Sequence, residues 1–94
     1  MANRVRSART AYGSRFARDL RNVAWARGYD YDPGEAFATR AAAEAAQGRW
    51  ARFLPDAPLP NGWTLAVRGG PDLGGSAPWF VAVVNQYGAE AARL

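Results

Sequence analysis

Between Leu54 and Gly62 the chain reads Leu-Pro-Asp-Ala-Pro-Leu-Pro-Asn-Gly. Three prolines within six residues let neither a helix nor a paired strand continue, because each removes a backbone donor and fixes φ. The segment divides the 94 residues into a first part with helical apolar spacing and a second part that alternates.

In the first part, Tyr12, Phe16, Leu20, Val23 and Ala24 share one helical face, which predicts a helix from residue 10 or 14 to Arg27, capped by Thr10 or Ser14 and stopped by Gly28. Asp32, Pro33 and Glu35 have the form of a capped helix start, with the proline at the first helical position and the glutamate reaching back. A second helix is expected from Pro33 to about Leu54, turning Thr39, Ala42, Ala43, Ala46, Trp50 and Phe53 inward and Arg40, Glu44 and Gln47 to water. Its alanines predict close approach of a neighbouring element, and Gly48 costs the helix about 1 kcal/mol relative to alanine.

In the second part, Trp63, Leu65 and Val67 alternate with Thr64, Ala66 and Arg68, the pattern of a half-buried strand. Trp79 to Asn85 is apolar on both faces, with Phe80, Ala82 and Val84 opposite Trp79, Val81 and Val83. The glycine-rich stretch between them predicts a long-looped antiparallel hairpin, and Gly88–Leu94 a further helical turn. The expected architecture is a single small α+β domain, residues 10–94, ordered helix, helix, strand, strand, after a basic arm of residues 1–9. Two strands alone are marginal in water. Either both helices sandwich the second strand or, as the favoured expectation, its edge and an outer face around Trp79, Val81 and Val83 meet another chain, giving a homo-oligomer.

Charge is unevenly spread. Residues 1–27 hold Arg4, Arg6, Arg9, Arg15, Arg18, Arg21 and Arg27 against Asp19, for +6, whereas residues 28–94 sum to −2. Every basic residue is arginine, which reads as codon bias in a GC-rich bacterial genome or that of its phage. Their placement still makes a footprint for a negatively charged partner. No signal peptide is evident, and the longest apolar run, Trp79 to Val84, is far shorter than the ~20 residues that span a bilayer, so a cytoplasmic protein is expected, with a virion component as the other setting.

The absences narrow the chemistry. The chain has no histidine, cysteine or lysine, which removes Ser-His-Asp and Cys-His sites, Schiff bases, the phosphate-loop lysine and His/Cys zinc sites. Asp30, Asp32 and Glu35 are the one carboxylate cluster, and they lack calcium-loop spacing, so a helix cap is the preferred reading over a metal site. The glycine-rich loop leads into a strand rather than a helix N-terminus, unlike a phosphate cradle. No enzyme, cofactor or metal is expected.

What remains is binding. On the first helix Arg18, Arg21 and Trp25 lie opposite the apolar stripe, with Trp25 one turn after Arg21 and in reach of a cation–π contact. Arginines around an exposed indole suit phosphates and a stacked base. The leading expectation is a small accessory or regulatory protein contacting nucleic acid through Arg4, Arg6, Arg9, Arg15, Arg18, Arg21 and Trp25. The alternative is a protein-interaction module, a host-factor inhibitor or virion assembly component, using Trp25 or the hairpin face, since tryptophan and arginine are also enriched in protein hot spots.

Overall fold

A computed structural model describes residues 11–32, 34–69 and 76–94, with the backbone alone for 11–13. The expected arm, Thr10, the Tyr12 side chain and most of the glycine-rich loop lie outside the described residues. Two helices, α1 (Ala11–Ala26) and α2 (Arg40–Ala51), combine with four strands, β1 (Ala36–Phe37), β2 (Thr64–Gly69), β3 (Trp79–Val84) and β4 (Glu90–Arg93). All strand pairings are antiparallel. The protein is a small α+β domain, but its order is not two helices followed by a hairpin.

The first helix ends where glycine allows a reversal. Gly28 takes φ +78°, its N–H donates to Trp25 O at 3.0 Å, and Tyr29 N–H donates to Ala24 O at 2.9 Å. This paired bonding closes the helix and folds Tyr29 back toward the core. Ala17, Leu20 and Ala24 are fully buried, and Phe16 and Val23 flank them half-buried.

The second helix begins later than expected. Glu35 N–H donates to Asp32 O at 3.1 Å and Gly34 takes φ +69°, so this stretch forms a tight turn and not a helix cap. Proline followed by glycine is a turn signature as well as a helix-start signature, and the left-handed glycine decides for the turn. The turn leads into β1. Thr39 is the actual N-cap, its Oγ1 accepting from Ala42 N–H at 3.1 Å. Ala43, Ala46 and Trp50 are buried as expected, whereas Thr39 and Ala42 are exposed. Gln47 also departs from expectation, donating from Nε2 to Leu65 O of β2 at 2.8 Å. Gly48 is exposed and a Cβ there would meet nothing within 4 Å, so the close packing runs through Ala43 and Ala46 alone.

The last segment forms a strand where a helical turn was expected. Gln86, Tyr87 and Gly88 make a three-residue hairpin loop between Asn85 and Ala89: Gly88 N–H donates to Asn85 O at 3.0 Å, Asn85 N–H to Ala89 O at 2.9 Å, and Gly88 takes φ +79°. The Asn85 side chain accepts from Tyr87 and Ala89 N–H groups, both at 3.0 Å. Pairing with β3 then overrides the helix propensity of Glu-Ala-Ala-Arg.

Strand β3 is the centre of the sheet. β2 lies along one edge, with Leu65 opposite Val83 and Val67 opposite Val81. Along the other edge β1 faces residues 79–80 and β4 faces residues 82–84, while Leu94 N–H donates to Val81 O at 2.9 Å. Both edges are thus paired within the chain, which corrects the expectation of a free edge for self-association.

The expected outer face is corrected too. Val81 and Val83 are 1% and 0% exposed and belong to the core beneath the helices with Leu20, Trp50 and Leu65, and Trp79 is half-buried. A strand apolar on both faces gives no sign of which row meets the helices, and the row on the opposite face is Phe80, Ala82 and Val84, of which Ala82 and Val84 are also buried. Arginines cover part of that row. The Arg93 guanidinium lies 4.4 Å from the Phe80 ring centroid and donates to Gly34 O at 3.1 Å, and Arg68 donates to Gly88 O at 3.1 Å. Among the described residues, no helix is long and apolar enough to cross a membrane.

Candidate functional site

The phase of α1 determines its surface. Burial at Ala17, Leu20 and Ala24 turns Ser14, Arg15, Arg18, Asn22 and Trp25 to solvent. Trp25 is 76% exposed, the largest exposure among the big apolar side chains described, followed by Tyr87 at 70%. No aromatic or cation–π contact forms on Trp25 among the described residues.

The expected arginines divide into two groups. Arg15 and Arg18 have side chains 64% and 66% exposed, with their Nε atoms 3.9 and 3.8 Å from the two carboxylate oxygens of Asp19. Two guanidiniums sharing one carboxylate leave positive charge over, and exposed pairs of this kind hold their partners weakly. Arg21 instead turns toward the sheet. Its Nη2 donates to Arg93 O on β4, and its Nε is buried with no partner among the described residues. The expected Arg21–Trp25 cation–π pair therefore does not form, because the sheet carbonyl takes the guanidinium. Arg27 forms an ion pair with Asp56, joining the end of α1 to the segment after α2. Arg4, Arg6 and Arg9 lie outside the described residues.

Beyond Trp25 the reversal at Gly28 makes a hollow of about 390 Å³, lined by Trp25, Gly28, Tyr29 and Asp30. Tyr29 is its fixed wall. The ring packs 5.3 Å from Trp50 and 5.6 Å from Phe53 between centroids, and its hydroxyl accepts from Arg49 Nε at 3.1 Å. Asp30 is exposed and makes no ion pair among the described residues. The binding surface expected from sequence did not include Tyr29 or Asp30, the latter having been read only as part of a carboxylate cluster at a helix start. The signal was the four-residue step from Trp25 to Tyr29 across a glycine stop.

The carboxylates do not converge. Among the described residues no group of three or more acidic side chains is placed to hold a metal ion, and Asp32 belongs to the turn before β1. Among the described residues the aromatic–arginine pairs that form lie on the sheet, Arg93 on Phe80 and Arg40 at 5.9 Å from Trp79. Sequence reading missed both, since each joins residues far apart in the chain. No family model, curated protein or solved structure matches the chain.

Proposed function

We propose that this is a non-enzymatic nucleic-acid-binding protein whose contact surface is the outer face of α1. Arg15 and Arg18 take phosphates and Trp25 stacks on a base. Arg4, Arg6 and Arg9 add positive charge from the stretch of sequence just before it. The observation that carries this reading is an indole 76% exposed on the same helix face as Arg15 and Arg18. Holding so much apolar surface in water gains the fold nothing, whereas a base stacked on it contributes roughly 1–3 kcal/mol. Arg21 and Arg27 are excluded from the surface, because each is engaged within the fold.

The test is fluorescence anisotropy with a labelled single-stranded oligonucleotide across about 50 to 200 mM salt. Single strands give a log–log slope of about −0.7 per phosphate contact, so two contacts give about −1.4 and five about −3.5. Absence of binding at the lowest salt overturns the proposal. Binding that ignores salt also overturns it, and points to an apolar protein partner on Trp25 instead.

A further inference from the structure

Resting on the nucleic-acid reading, we infer that the hollow at the end of α1 is a base pocket selective for guanine in a single strand. The hollow, about 390 Å³ and open to solvent, has room for one base. One wall is the free indole of Trp25 and the other is Tyr29, fixed by its packing on Trp50 and Phe53 and by the Arg49 hydrogen bond. Gly28 lies between the two walls at φ +78°.

The polar group on the rim sets the choice of base. An ionised carboxylate has two acceptor oxygens and no donor. Guanine alone presents two adjacent donors, N1–H and the N2 amino group, on its Watson–Crick edge. Adenine and cytosine place a ring acceptor beside their amino group, and thymine flanks its one N–H with two carbonyls. Asp30 has no ion pair among the described residues to compete for it, unlike Asp56, which Arg27 holds. The Arg49 guanidinium already bonded to Tyr29 favours a neutral base over an organic cation.

The spacing fits a strand laid along the helix. Arg18 precedes Trp25 by seven residues, about 10.5 Å of helix rise. Phosphates then sit on Arg15 and Arg18 while a base further along the strand enters the hollow. A duplex keeps its Watson–Crick edges occupied and cannot offer them to Asp30.

The experiment compares thymine oligonucleotides carrying one central guanine, inosine or adenine, measured by anisotropy on the full chain and on Asp30→Asn. Inosine keeps N1–H and lacks the N2 amino group. Wild type is expected to bind the guanine strand about tenfold more tightly than either control, the scale of a bidentate base contact. Asp30→Asn is expected to erase that preference and still bind all three strands. Salt-sensitive binding with no base preference overturns the pocket and leaves the surface of Arg15, Arg18 and Trp25 standing. A preference that survives Asp30→Asn likewise overturns it. Failure to bind any strand at low salt, with binding of an arginine-rich peptide that Trp25→Ala removes, overturns both readings. Far-UV circular dichroism of Asp30→Asn should match wild type, because the side chain is exposed.

Discussion

Trp25 and Trp50 are each the next-to-last residue of a helix, yet one is 76% exposed and the other 3%. The buried residues of the two helices follow the same three-then-four spacing, Ala17, Leu20, Ala24 in α1 and Ala43, Ala46, Trp50 in α2. The pattern ends one residue before the tryptophan in α1 and on it in α2. A single step of helical phase, about 100°, makes one indole the centre of an aromatic cluster and the other a free surface. Exposure of Trp25 follows from Leu20 and Ala24 holding the core side. It is not a packing failure.

Four substitutions sharpen or break that contrast. Trp50→Ala should be the most damaging, since Tyr29, Tyr31 and Phe53 all pack on that ring; a loss of about 3–5 kcal/mol is expected in chemical denaturation. Gly28→Ala forces a side chain into positive φ at the reversal that separates Trp25 from Tyr29. A Cβ there meets nothing within 4 Å, so only the backbone strain of about 1–2 kcal/mol should appear in the unfolding midpoint. Gly48→Ala should act in the opposite direction, raising stability by about 1 kcal/mol in thermal unfolding, because the position is helical, exposed and open. Trp25→Ala should move stability by less than about 0.5 kcal/mol while abolishing the stacking contribution to oligonucleotide binding. A large loss of stability in Trp25→Ala would mean that the indole supports the fold, and the contrast would fail.

Local rules made much of the helical half legible. Gly28 marked the end of α1, and the outward phase of Trp25 could be read from Phe16, Leu20 and Val23 alone. The start of α2 was misread because Asp32-Pro33-Gly34-Glu35 satisfies two codes, and the backbone at Gly34 chooses the turn. β4 was hidden by its helix-favouring alanines, although Asn85-Gln86-Tyr87-Gly88 contains the hairpin signal. The inward row of β3 could not be read, since Val81 and Val83 are no more apolar than Phe80 and Val84, and only the placement of the helices separates them. In the proposed site, the outward turn of Arg18 and Trp25 was legible from the wheel, and Arg15 entered through the charge footprint of the first 27 residues. The diversion of Arg21 was not, because its acceptor is a carbonyl of a strand 72 residues away.

The central claim is that the uncovered face of α1 is a phosphate-contacting surface, and the most direct measurement is the salt dependence of oligonucleotide affinity in wild type beside Arg15→Gln/Arg18→Gln. The account predicts that the double variant keeps its fold and lowers the magnitude of the log–log slope by about 1.4, the share of two phosphate contacts on a single strand. An unchanged slope with unchanged affinity would contradict it.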